Sequence, residues 1–444
     1  MGLSDVDKTG ALGTPDTPSE PAAPGAPTPP TLNPDVSRRE FLTGAAALGT
    51  AALSLAAAGS LAACDDEDEP ESESLIGQPT PPDTGEVPES LDVSIDQLIE
   101  VTGFEEQPLS EYLQETRRHF LPFGSVVYQI NERSALALVP HGTGKELIDL
   151  SLLDLQNGQL EVLLEQAVGA KQGYPDAIIY DGRASESLLA WTECDIASLD
   201  WQVYAAPIQS GGLGPAVLID QGGPDYEVPL LALTGNKIYW TVMPNPAGPA
   251  QYQDSYLKAM IFGATEPTVV YTSHGRMITT PLVNQGTLTF APRVDTKNIY
   301  YQLTALRVAD DSIADYLIMP QSVRISDALY MDKTFCFSIE NYYTYAGGLG
   351  TIGTYRQLPD GEHWLHLSRQ PSAPPLLLAG RLVVKSSIRV IGIDAVGQGY
   401  YSIPLLIDSL DYGDSLAGWG SQQNLVVYSN TSSNSCMLRV FEPV

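Results

Sequence analysis

Thiols, imidazoles and carboxylates are the groups through which this chain could cut bonds or hold metals, and their spacing decides how much of that chemistry is open. The 444 residues include 4 Cys, 5 His and 54 Asp plus Glu. His363 and His366 stand three apart in Glu-His-Trp-Leu-His, a run that reads as a strand. Successive strand residues point to opposite faces, so this pair is not expected to share a metal. No His-Glu-x-x-His, Gly-x-Ser-x-Gly or phosphate-binding glycine loop occurs in a strand–helix context. Cys194, Cys336 and Cys436 are widely separated and odd in number, without a Cys-x-x-Cys. They are expected as buried free thiols rather than as a metal or disulfide framework. The acid run that follows Cys64 lacks the glycine turn and ordered spacing of a calcium loop. No catalytic residue, metal site or cofactor is assigned from these patterns. Acids gathered from distant parts of the chain, as in a glycosidase or lyase, stay open as the alternative.

Recognition is better represented than catalysis. Tyr342, Tyr343 and Tyr345 cluster beside Gly347, Gly348 and Gly350. Tyrosine offers a large amphipathic contact with a hydrogen-bonding tip, and exposed loops are favoured places for recognition. With Tyr252, Asp200 and Trp201 from two other long loops, these residues form the candidate ligand-binding rim. Tyr239-Trp240-Thr241 reads as a core strand, and Ser409-x-Asp411-x-Gly413 as a hairpin turn.

The elements that must position such a rim recur along the chain. Between residues 125 and 444 a short apolar strand runs into a tight turn, then a second strand, a polar loop and a third strand. Copies of the second strand begin at Leu136, Leu188, Ile238, Leu288, Phe335, Leu382 and Leu425. Their starts lie 52, 50, 50, 47, 47 and 43 residues apart. That near-constant period is the signature of a β-propeller built from four-stranded blades. The first strands read SVVYQI, AIIYDG, PLLALTG, TPLVNQG, SDALYMD, PLLLAG and DSLAGWG. Most end in glycine, which supplies the positive φ of a tight hairpin. Seven blades are expected, with six or eight as alternatives. The last copy has three strands, so a strand N-terminal to Phe123 is expected to complete it, because open sheet edges invite pairing with other chains. Residues 91–124 are read as a partly helical lead-in. Leu98, Ile99, Tyr112 and Leu113 give the apolar spacing, and Ser94 with Gln97 a capping box.

The stretch Leu188 to Ile208, LLAWTECDIASLDWQVYAAPI, resembles blades of TolB-like and dipeptidyl-peptidase-like propellers. The resemblance implies a periplasmic-type propeller that binds partners or peptides. The peptidases carry a hydrolase domain after the propeller, and no such segment follows the last copy here, so that activity is not expected.

Ahead of the repeat, Ser37 to Cys64 reads as an address. A charged n-region, an apolar h-region and a small-residue box mark an export signal. Ser37, Arg38, Arg39, Phe41 and Leu42 closely resemble the core of a twin-arginine (Tat) signal, and the Ala-rich run after them is uncharged. The run ends in Leu61-Ala62-Ala63-Cys64, which resembles a lipoprotein box. The resemblance implies export by the Tat translocase, acylation of Cys64 and attachment to the membrane through that lipid. The chain then divides into a leader (1–36), the signal (37–64), an acidic linker (65–90), the lead-in (91–124) and the repeat (125–444).

Charge bounds the partners. The formal net charge is -31, which leaves no basic footprint for nucleic acid. Residues 65–90 are acidic and poor in large apolar side chains, so they are expected to be a disordered tether. As a flexible coil it would reach on the order of 30 Å. Membrane surfaces are anionic, so the acidic body is expected to stand off from them. The expected function is a lipid-anchored, extracytoplasmic and non-enzymatic module that binds a protein, peptide or glycan in the cell envelope.

Overall fold

Leu188–Asp195, Leu-Leu-Ala-Trp-Thr-Glu-Cys-Asp, is buried along its whole length. A run that is apolar on both faces, rich in aromatic and β-branched residues and bounded by turns folds as a strand covered on both sides. The computed structural model describes residues 87–444, apart from 142–147, 296 and 411–412. The leader, the export segment with Ser37, Arg38, Arg39, Phe41, Leu42 and Cys64, most of the linker, and Asp411 lie outside the described residues. Within them the protein is all-β with the arrangement of a β-propeller, and helical turns are confined to short 3-10 segments.

The described residues form seven sheets, numbered here in chain order. Each is an antiparallel meander from an inner strand outward. The inner strands of sheets 1 to 6 are Val126–Gln129, Ala177–Ala184, Leu231–Thr234, Leu282–Asn284, Asp327–Met331 and Leu376–Leu378. Sheet 7 holds Ser415–Leu416, Leu425–Thr431, Ser435–Pro443 and, as its outer strand, Leu113–Pro122. Leu113–Pro122 runs antiparallel to the last strand, with Leu121 opposite Cys436.

The core lies between sheets rather than at one centre. Trp191 and Tyr204 of sheet 2 pack with Leu136 and Leu150 of sheet 1. Trp201 of sheet 2 packs with Trp240 of sheet 3, and Tyr239 of sheet 3 with Phe290 of sheet 4. Leu303 of sheet 4 meets Phe337 of sheet 5, and Leu365 of sheet 5 meets Ile391 of sheet 6. Val383 of sheet 6 packs with Val427 of sheet 7. Val440 of sheet 7 packs with Ala137 of sheet 1.

Two expectations are made specific or corrected. The helical part of the lead-in consists of three 3-10 turns rather than an α-helix. Ser94 N–H does donate to Gln97 Oε1 at 2.8 Å, but it caps only the 3-10 turn Ile95–Gln97. The next residues, Leu98–Glu100, instead pair in parallel with the outer strand of sheet 5, and Glu105–Glu106 with that of sheet 6. Ladder bonds, with burial of Val93 and Val101, outweigh a weak local helix preference. The second correction concerns DSLAGWG, expected as one inner strand. Only Ser415–Leu416 pairs within sheet 7. Gly420–Gln422 leaves it and runs parallel to Leu376–Leu378 of sheet 6.

Meander geometry sorts the connections onto two faces. Turns between first and second strands, and between third and fourth, share one end of each sheet, here the hairpin face. Connections between second and third strands, and from each outer strand to the next inner strand, share the opposite end, the loop face.

Candidate functional site

Five of the six predicted rim residues belong to loop-face connections, while Trp201 opens the third strand of sheet 2. In sheet 5 the chain from Glu340 to Thr351 is fixed by its own backbone. Tyr343 N–H donates to Gly350 O at 2.9 Å, and Ala346 N–H to Tyr343 O at 3.0 Å. Gly348 N–H reaches across to Val93 O at 2.6 Å. Gly347 has φ +56, and a Cβ there would sit 2.9 Å from Val93 O. Glycine is therefore required for this close approach. Beneath the loop Leu349 and Ala346 enter the core between sheets 4 and 5. On this fixed base Tyr342 is 71% and Tyr345 63% exposed. Tyr343 is half-buried, its hydroxyl accepts the Arg324 N–H at 3.1 Å, and its ring meets Tyr345 edge-on at 6.1 Å.

The other rim residues lie elsewhere. Tyr252 is exposed in the long loop of sheet 3, separated from the tyrosine loop by the whole of sheet 4. Asp200 is half-buried, and its Oδ2 accepts the Ser198 hydroxyl at 2.7 Å as part of a turn. Trp201 is a correction. It is 2% exposed and packs in the core between sheets 2 and 3. A Cβ on Gly222 would lie 2.3 Å from its ring, so it cannot meet a ligand. Here the tryptophan that opens the third strand points into the next sheet, and alternation along DWQVY does not say which face is which.

The structure also brings together residues that the sequence reading left apart. Arg183 on the inner strand of sheet 2 is buried. Its Nη1 donates to Asp181 Oδ1 at 2.8 Å and to Gly182 O at 2.7 Å. The guanidinium lies 4.0 Å from the Tyr128 ring centroid and 5.9 Å from that of Trp419. Burial disfavours the cation, but Asp181 and Tyr128 outweigh that, so its pKa is raised and Arg183 stays charged. Such cation–π contacts are worth up to about 2 kcal/mol when desolvated.

Trp419 is carried to this cluster by the segment that leaves sheet 7. Its Nε1 donates to Val283 O of sheet 4 at 3.1 Å. Ser421 N–H donates to Asn284 Oδ1 at 2.9 Å, and Gln129 N–H of sheet 1 to Ala417 O at 2.8 Å. Residues 417–424 thus form a strap that touches the inner strands of sheets 1, 4 and 6. The local signal was Gly-Trp-Gly. A Cβ on Gly418 would stand 2.8 Å from Gln129 Oε1, and one on Gly420 would stand 2.6 Å from Asn284 Oδ1.

Of the two histidines singled out by spacing, His366 is buried against Glu100 and stacks on Tyr355 at 4.2 Å. His363 pairs with Asp360 at 2.8 Å. They serve different partners: His366 lies in the strand Trp364–Leu367, and His363 stands in the turn before it.

No protein-family model matches this chain, and no curated protein does. Among solved structures, one from a structural and mechanistic study of two prolyl endopeptidases is similar, with a TM-score of 0.49 and 14% identity. The match covers 76% of this chain and 48% of that one. PorZ, described as an essential surface component of the type-IX secretion system of Porphyromonas gingivalis, is similar with a TM-score of 0.40 and 11% identity. That match covers 71% of this chain and 36% of PorZ. The chain spans about half or less of the length of these proteins.

Proposed function

We propose that this chain is a lipid-anchored, extracytoplasmic β-propeller that acts as a non-enzymatic binding or scaffold module in the cell envelope, meeting its partner through the loop face. The observation that carries the reading is the tyrosine loop. Tyr342 and Tyr345 are exposed, while the backbone beneath them is hydrogen-bonded and its Leu349 is buried. A rigid loop presenting amphipathic rings loses little entropy on binding. The ring itself has seven blades in this reading. Each sheet has a separate apolar cluster on either side, and six blades would require two of these sheets to act as one. Export and anchoring rest on Arg38, Arg39 and Cys64.

The test is photocross-linking in the native envelope from position 345, with position 332 on the hairpin face as the control. Capture of an envelope component from 345 alone is the expected result, and equal capture from both positions overturns the reading. Lysines in place of Arg38 and Arg39 are expected to leave the protein in the cytoplasm. Cys64→Ala is expected to abolish labelling by a lipid precursor.

A further inference from the structure

Exposed apolar side chains are unevenly shared between the two faces. Loop-face connections expose Leu199 on sheet 2, Tyr252 on sheet 3, Tyr342 and Tyr345 on sheet 5, Ile388 on sheet 6 and Ile407 between sheets 6 and 7. Turns and strand ends of the hairpin face expose fewer, among them Val217, Ile261, Val396 and Val444. Charge is uneven in the opposite sense. Exposed carboxylates crowd the hairpin face at Glu132, Glu186, Glu266, Asp310, Asp332 and Asp360. On the loop face the exposed cations Lys297, Arg324, Arg369 and Arg389 stand among Glu165, Asp176, Asp225, Glu340 and Asp408, so this face is less acidic than the hairpin face but not neutral.

The route of the chain adds an independent observation. Leu91 N–H donates to Ile318 O at 2.7 Å, and Ile318 is the last residue of the outer strand of sheet 4, at its loop-face end. Two residues later Val93 O receives Gly348 N–H of the tyrosine loop. The segment that leads back to Cys64 therefore enters the body on the apolar face, beside Tyr342 and Tyr345. Residues 65–86 alone lie between Cys64 and the described chain, so this face is the one tied to whatever Cys64 is fixed to.

We propose that the loop face docks on the lipid bilayer that carries the anchor, with its tyrosines at headgroup level and Ile407 and Ile388 at the acyl boundary. The inference rests on the lipid-anchor reading and names the partner of the proposed binding face. Amphipathic rings suit the headgroup zone, scattered Ile and Leu supply apolar area, and the four cations meet anionic headgroups. The acidic hairpin face then points away from the membrane. In this proposal only the acidic hairpin face stands off the surface.

The test places an environment-sensitive dye on single cysteines in the full chain, purified from membranes and reconstituted in vesicles of phosphatidylcholine and phosphatidylglycerol. Tyr345→Cys and Ile407→Cys report the loop face, and Asp332→Cys the hairpin face. The native thiols Cys194, Cys336 and Cys436 are buried and do not compete for dye. A blue shift with a several-fold rise in emission at 345 and 407, absent at 332, is the expected result. Mass analysis of the N-terminal peptide reports acylation of Cys64 separately. An acylated protein whose loop-face dyes stay in water overturns docking but leaves the anchor intact. A loop-face shift in protein without acyl chains supports docking and removes the anchor. A shift that needs an added envelope protein or glycan, with none on lipid alone, overturns the bilayer as partner. Tyr345→Asp, dyed at 407 through Ile407→Cys, is expected to lose most of the shift. An unchanged shift there counts against the proposal.

Discussion

Cys194, Cys336 and Cys436 illustrate how far single residues can be read without neighbours. Wide spacing and odd number mark them as lying outside a disulfide framework, and all three are buried thiols outside any disulfide. What the sequence could not supply is the strength of that burial. Burial, helped by Asp195 and Asp200, pushes the Cys194 thiol from its ordinary 9.0 up to about 11. Burial alone pushes Cys336 up to about 12, against a small opposing pull from Arg356. Two consequences follow. At pH 8 the folded protein carries almost no reactive thiolate at these sites, so a thiol reagent is expected to label them only as the chain opens. The folded state also keeps protons that the unfolded chain gives up, so these thiols contribute stability that is fully present below about pH 9 and is lost as pH rises through about 11 to 12. Labelling rates at pH 8 with and without denaturant check the first consequence. Denaturation midpoints taken between pH 8 and pH 11 check the second, and a midpoint that rises over that range contradicts it. Trp201 shows the opposite limit of residue reading. Its type suggested a binding platform, and only the packing of sheet 2 on sheet 3 reveals that its ring is core.

At the scale of elements, the strap of residues 417–424 decides what the inner strands enclose. Gly420 sits at φ +67 with Asn284 pressed against the place a Cβ would take. Gly420→Ala therefore combines left-handed backbone strain with a steric clash and is expected to cost about 2 kcal/mol. Trp419→Ala removes the ring that lies between Tyr128, Arg183 and Val283 and is expected to cost about 3 kcal/mol. The two positions are adjacent in one strap, so the double variant is expected to cost less than the sum, and denaturant titration of the three variants measures the difference. Full additivity would mean that the strap does not act as a unit. This element also shows why one part of the fold was legible and another was not. Strands such as Leu188–Asp195 and Leu425–Thr431 announce themselves because burial on both faces demands a continuous apolar run. DSLAGWG has the same local grammar, but its glycines serve close approach to Gln129 and Asn284 rather than a hairpin. Those partners are far away in sequence, and nothing local encodes them. The lead-in was legible only in part for a related reason. A capping box predicts a turn, and the turn forms, but whether a helix follows depends on an edge strand of sheet 5 that the box cannot see.

The whole molecule depends on how its sheets are joined, and the period of second strands gave that away because equal units around an axis need nearly equal lengths of chain. The candidate face was legible only in part. Tyr342 and Tyr345 could be named from composition, but the distribution of charge and apolar surface between two faces exists only once the meanders are stacked. The join between Leu113–Pro122 and Ser435–Pro443 brings distant parts of the chain into one sheet, and it offers a direct test of the assembly. Leu121 stands opposite Cys436 in the antiparallel register, and both are buried in the cluster between sheets 7 and 1. Directly opposed residues of such a pair have Cα atoms within the range that a disulfide spans. Leu121→Cys supplies a partner for a thiol already present. In the reduced form the substitution loses apolar contact and is expected to cost about 2 kcal/mol. Oxidation would close a loop of roughly 300 residues, and restricting the unfolded chain to that extent is worth up to about 5 kcal/mol. The oxidised variant is therefore expected to unfold at a higher denaturant midpoint than both its reduced form and the wild type. Gel mobility under non-reducing conditions reports whether the bond forms. Failure of the bond to form under mild oxidation would mean that these strands do not meet in this register. A bond that forms without raising the midpoint would mean that the ring opens elsewhere first, at one of the other interfaces between neighbouring sheets.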